Sequence, residues 1–166
     1  DVFVNARRVR LEKPGAGFTG LFARSAALDP GPAGDAGGIN VDADSVVVKD
    51  GASISASSRS PTAVAGSVVL RVRDELTLDG GTVGAAAKRG ASAGDVDVRI
   101  ARSVVIKNGS SFTTETRAAG AVGGNILIQA DGRVIVDHSI LTAASLQGSG
   151  KTLTIDPSGE FRSERD

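Results

Sequence analysis

Four stretches of this chain repeat one another, and a repeat of this length constrains the fold more than any other feature of the sequence. GGINVDADSVVVKDGASISAS, GSVVLRVRDELTLDGGTVGAA, GDVDVRIARSVVIKNGSSFTTE and GNILIQADGRVIVDHSILTAA align with one another. Ile39, Val68, Val96 and Ile126 mark the first strand of each copy, 29, 28 and 30 residues apart. Val48, Leu78, Ile106 and Val136 mark the second, at spacings of 30, 28 and 30. An atypical copy precedes them, with Val2, Val4, Val9, Leu11 and Phe18 at matching positions and a longer tail through Gly38. A partial copy, KTLTIDPSGEF, closes the chain around Leu153 and Ile155.

Within each copy apolar residues alternate with a period of two: Ile39, Val41 and Ala43, then Val46 and Val48, then Ile54 and Ala56. Each copy is therefore expected to be three short strands. Asp50-Gly51, Asp79-Gly80 and Asn108-Gly109 recur before the third strand, where glycine accepts the positive φ of a tight bend. A series of hairpins would not regenerate the same pattern with the same flanking glycine in every copy. A unit that cannot bury its own apolar face must stack on its neighbours. Three short strands per unit suit a parallel β-helix, an all-β solenoid of about five coils of roughly 29 residues whose equivalent positions superpose about 4.8 Å apart. Val41, Leu70, Val98 and Ile128 should then form one inward ladder. The implied boundaries within the single domain 1–166 are 1–38 for the atypical coil with its long loop, then 39–67, 68–95, 96–125 and 126–150 for the regular coils. A partial coil and polar tail take 151–166.

Composition agrees with a small-residue solenoid. Hydrophobic residues make up 40% but aromatics only 3%, with five Phe, no Trp, Tyr or Met, and 22 Gly, so aliphatic side chains must fill the core. Nineteen basic and nineteen acidic residues cancel, leaving no global field to recruit nucleic acid or an anionic membrane. Zero Cys and a single His argue against disulfides, thiolate metal sites, zinc clusters and Cys or His catalysis. No cofactor and no metal is expected. There is no apolar run long enough for a transmembrane helix and no export signal at the start of the sequence.

The copies resemble those of filamentous-haemagglutinin-type large exoproteins, whose repeats read like G-N-I-x-I-x-A-x-S-L-x-L-x-D/N-G-A-x-I-S-A-S. Gly38 to Ser57 and Gly124 to Ala144 match this pattern, and the two intervening copies match it more loosely. The resemblance covers roughly residues 2 to 155. It implies a right-handed parallel β-helix, passage of the parent protein through an outer-membrane secretion pore by the two-partner route, and a secreted or cell-surface role as an adhesive shaft. The amino-terminal secretion domain of that family is missing here, so the chain reads as a segment excised from a longer exoprotein. Open strands at both ends predict weak end-to-end self-association, with the EFRSERD tail as a guard at one end.

Several motifs compete with this reading. GAGFTG, Gly15 to Gly20, matches a dinucleotide fingerprint and precedes the helix-compatible LFARSAAL, but no further helices follow to cover a parallel sheet, so a corner of the first coil is favoured. His138 beside Asp137 falls where Asp50, Asp79 and Asn108 fall in the other copies, which favours a polar corner over a catalytic triad. Asp42 aligns with Arg71, Arg99 and Gln129, so acids do not gather on one face as a calcium or lyase site would need. A β-helix polysaccharide lyase or hydrolase is the alternative function, opposed by the lack of Trp and Tyr platforms for sugars. Outward Arg10, Val47, Thr77, Val105 and Ile135 form a mostly β-branched stripe, ascribed to strand stabilisation or to coverage by the segment from Thr19 to Gly38. At the end of the third strand stands a basic column, Arg24, Arg59, Lys88 with Arg89, and Arg117. Such a row can hold a linear polyanion, such as an acidic host or environmental glycan, through many weak contacts.

Overall fold

A computed structural model describes residues 1–25, 34–87, 92–145, 148–149 and 151–164. Those residues contain strands and turns and no helix. The strands are β1 (Val2–Glu12), β2 (Gly20–Ser25), β3 (Ile39–Lys49), β4 (Ser53–Ser58), β5 (Val68–Asp79), β6 (Thr82–Gly84) and β7 (Val96–Ile100). The later ones are β8 (Ser103–Lys107), β9 (Ser111–Thr113), β10 (Ile126–Ala130), β11 (Val134–Asp137), β12 (Ile140–Thr142), β13 (Leu153–Pro157) and β14 (Phe161–Glu164). Every pairing is parallel. One sheet stacks β1, β3, β5, β7, β10 and β13, and its other arm continues through β8, β11 and β14. The second sheet stacks β2, β4, β6, β9 and β12. The result is a parallel β-solenoid of about four turns.

The ladder expected from the repeat is present. Val41 lies beside Leu70, Leu70 beside Val98 and Val98 beside Ile128, all fully buried. Val48, Leu78, Ile106 and Val136 stack in the same way. Phe112 is the largest buried side chain in a core otherwise made of Val, Ile, Leu and Ala. Each such aliphatic side chain contributes about 1.5–3 kcal/mol on leaving water, so stability is spread along the axis rather than lodged in a central cluster.

The recurrent glycine before each first strand has a packing cause. Gly66 lies against the carbonyl of Gly37, Gly94 against that of Gly66, and Gly124 against that of Gly94. A Cβ at any of these three would run into backbone oxygen, so only glycine lets the turns stack at sheet spacing there.

Four details bear on the sequence expectation. First, β1, β3 and β5 each run unbroken through what were expected to be two strands, and the separate first and second strands appear only from β7 onward. The register shifts between Ala43 and Ser45: Asp44 alone spans the bend in β3, whereas Arg73 and Asp74 span it in β5. That added residue is a β-bulge. Second, Asp79 does not occupy the corner. It pairs with Lys49, and Gly80 takes the positive-φ position (69°) held elsewhere by Asp50 (55°), Asn108 (57°) and His138 (44°). Third, GAGFTG is an exposed connection leading into β2, in keeping with the corner favoured for it, whereas the competing fingerprint needs a helix there. Fourth, Phe161–Glu164 of the polar tail pairs with β11, so it belongs to the last turn instead of guarding it. The outward stripe Val47, Thr77, Val105 and Ile135 stacks in register and is half-buried. The described flanks of the long loop lie elsewhere, since Ala36 donates to the Val64 carbonyl and the Ser25 hydroxyl to that of Gly34.

Candidate functional site

In a solenoid with fixed register each outward position becomes a column running along the axis, about 4.8 Å from rung to rung. The columns therefore decide what the surface can bind.

The basic column at the end of the third strand is uneven. The third-strand residue of the first copy is Leu21, which pairs with Ile54, whereas Phe18 is 85% exposed in the preceding connection. The large apolar residue nearest the expected place misled the alignment. Arg24 is consequently level with Ser57, two residues before Arg59. Its guanidinium lies 4.0 Å from the centroid of Phe22 and 5.7 Å from that of Phe18, a cation–π sandwich. Partial burial, with a smaller effect from Arg59, holds its pKa below the usual arginine value, but not so far that an arginine loses its charge. Arg59 and Arg117 follow Ser58 and Thr116, which belong to one ladder through Ala87, so they hold equivalent places two rungs apart. Arg59 is exposed and Arg117 donates to Glu115 at 3.0 Å. Lys88 and Arg89 lie outside the described residues. The structure thus brings Arg59 and Arg117 to one edge, with Arg24 close enough to Arg59 to feel its charge.

A second surface lies at the bend of the first sheet. A groove of about 660 Å³ runs along the outer side of the bend between first and second strands. One whole column lines it: Asn5, Asp42, Arg71, Arg99, Gln129 and Asp156, consecutive register partners from β1 to β13. Val72 and Ile100, each 4% exposed, form the apolar floor at its centre. The bulge in β5 places Arg73 on the rim, where it bonds Asp44 at 2.9 Å. Arg99 is bridged by Asp97, at 3.1 Å and 3.2 Å. Arg71 approaches Asp42 only to 3.9 Å, beyond hydrogen-bond reach. The aligned Asp42, Arg71, Arg99 and Gln129 were visible in the sequence. Their significance as a cationic pair flanked by acid was not, because the sequence does not show that this column faces a groove.

His138 sits at its corner with Nδ1 against the Asp137 carboxylate. Among the described residues no group of three or more His, Cys, Asp or Glu is arranged to hold a metal ion. No helix among them is long and apolar enough to cross a membrane. Comparison with protein-family models, with curated proteins and with solved structures finds no match for this chain.

Proposed function

We propose that this chain is a right-handed parallel β-helix of about five coils that serves as a structural and adhesive shaft segment of a secreted or cell-surface protein of the filamentous-haemagglutinin type. Its ligands are acidic glycans, its parent protein reaches the surface through an outer-membrane pore, and its role is to hold and not to turn over. The observation that carries this reading is the uninterrupted register: from Val4 to Ile155 one inward position is filled by a stacked aliphatic residue on every rung. Such stacking makes a stiff, extensible rod whose outer columns repeat a contact many times. The resemblance of the repeats to filamentous-haemagglutinin copies supplies the surface role, and the cations at Arg24, Arg59 and Arg117 supply the glycan class.

The test is retention of the purified chain on an immobilised acidic polysaccharide at low salt, combined with sizing of the same polysaccharide after prolonged incubation with the protein. Retention that disappears in about 1 M salt, where screening shortens to about 3 Å, with the polymer unshortened, is the expected result. A shortened polymer would replace this reading with the lyase or hydrolase alternative. Elution in the flow-through would reduce the chain to a passive stalk.

A further inference from the structure

In the groove at the bend, the central rungs are cationic and acids flank them on both sides, with Asn5 and Arg7 on the rung beyond at the amino-terminal end. Arg71 and Arg99 are register partners on adjacent strands, and both line the groove with Arg73. Asp42 and Asp44 lie on their amino-terminal side, and Asp131 and Asp156 on their carboxy-terminal side. Like charges placed directly opposite one another in a sheet are destabilising, so the arginine pair is a local cost. An anion between the two guanidinium groups relieves that repulsion, and Arg71 can receive it because its ion pair with Asp42, at 3.9 Å, is too long for a hydrogen bond. Guanidinium forks bind carboxylate or sulfate oxygens in pairs. The side chains of Arg71 and Arg99 remain 54% and 59% exposed, so they are accessible to a ligand.

We infer that this groove is a binding site for an oligosaccharide carrying one anionic group, seated between Arg71 and Arg99 over the floor of Val72 and Ile100. The acids on either side of the cations then set the specificity. A densely charged polyanion running along the groove meets Asp42 and Asp44 on one side and Asp131 and Asp156 on the other, which is discrimination by repulsion. A glycan whose single acid is joined to neutral sugars meets no such penalty, and its hydroxyl groups can pair with the flanking carboxylates. This site is separate from the third-strand edge, and neither its success nor its failure bears on the shaft reading.

The experiment is a titration of the full chain with sialyllactose, which bears one carboxylate, followed by amide chemical shifts, with lactose and a heparin tetrasaccharide as comparison ligands. Shifts should cluster on β5 and β7 around Val72, Arg99 and Ile100, and lactose should give none. Arg71→Gln with Arg99→Gln should lower the affinity by about tenfold or more, whereas Arg59→Gln with Arg117→Gln should change it less than about twofold. Arg71→Lys with Arg99→Lys preserves charge and guards against a folding artefact; it should bind more weakly than wild type and more tightly than the glutamine pair. Asp42→Asn with Asp156→Asn should admit the heparin tetrasaccharide to the groove. The inference is overturned if sialyllactose produces no shifts or shifts on the third-strand edge. It is also overturned if the glutamine pair binds as wild type, or if the heparin tetrasaccharide already occupies the wild-type groove as tightly as sialyllactose.

Discussion

Two outward columns of the same solenoid are built from the same kinds of charge and arranged oppositely. Along the end of the second strand stand Glu12, Lys49, Asp79 and Lys107, register partners in turn, with Asp137 on the next rung. Their signs alternate down to Asp137, and only the last rung, where Asp137 pairs with Glu164, sets two acids together. Lys49 reaches Glu12 at 2.9 Å and Lys107 reaches Asp79 at 3.3 Å. In the groove column the order is Asp42, Arg71, Arg99, Gln129, so that two cations are neighbours. An alternating column neutralises itself and favours one register, because a slip of two residues along the strand would set Lys49 beside Thr77 or Gly81 and lose its pairing with Asp79. A blocked column spends that advantage and leaves a local field for a ligand. The difference between structural and binding surfaces here is one of order along the axis, not of composition.

The largest expected effect comes from destroying the stacking that creates both columns. Val98→Asp buries a carboxylate between Leu70 and Ile128 and should cost on the order of 4 kcal/mol, read as a large fall in the denaturation midpoint. An unchanged midpoint would mean that Val98 faces water.

Next, a single charge change should act differently in the two columns. Lys107→Glu completes a run of four acids on successive rungs, with Asp79, Asp137 and Glu164, and should destabilise by about 1 kcal/mol. Arg99→Gln removes a like-charge neighbour at the cost of its bridge to Asp97, so stability should stay within about 0.5 kcal/mol while sialyllactose binding weakens. Equal losses of stability in both variants would erase the distinction between the columns.

The smallest effect is on pH dependence. Hydrogen bonds from Asn108 and then Lys107 hold the Asp79 carboxyl below its ordinary pKa, and those from Lys49 and then Arg10 do the same for Glu12. A carboxyl depressed in the folded state stabilises fully above its unfolded pKa, and that contribution fades as pH falls through the folded value. The melting temperature should therefore decline as pH drops below about 4, less steeply in Asp79→Asn. Lys49 is raised by its bonds to Glu12 and Asp50, so its contribution is full below the unfolded lysine value and fades at alkaline pH above about 10. An Asp79→Asn variant with the wild-type acid profile would show that this column does not couple to folding.

Much of the fold was legible because the core is a ladder: a period of two within each copy, repeated at nearly constant spacing, leaves Val41, Leu70, Val98 and Ile128 no other shared side. Even the bulge left a trace, since Ile39 to Val68 is 29 residues but Val48 to Leu78 is 30; the extra residue is the one at Arg73 and Asp74. What misled lay in the connections, where no burial pattern fixes the count. Leu21 and not Phe18 opens the third strand after the exposed GAGFTG loop, and Gly80 and not Asp79 takes the left-handed corner, because an Asp-Gly pair looks the same whichever residue turns. The groove is not legible in the sequence for a related reason. Arg71 and Arg99 could be aligned from the sequence, but the concave bend beside them exists only once the two arms of the sheet are folded.

Both surfaces depend on register: Arg71 beside Arg99, and Arg99 beside Gln129. The chain has no cysteine, so nitroxide labels can be attached at Arg71→Cys with Arg99→Cys and, separately, at Arg71→Cys with Gln129→Cys, and their dipolar coupling measured in the folded protein. In-register stacking predicts backbone separations of about one rung, ~5 Å, for the first pair and about two rungs, ~10 Å, for the second. A first pair no closer than the second, or either pair beyond about 20 Å, would contradict the stacked columns and the two surfaces derived from them.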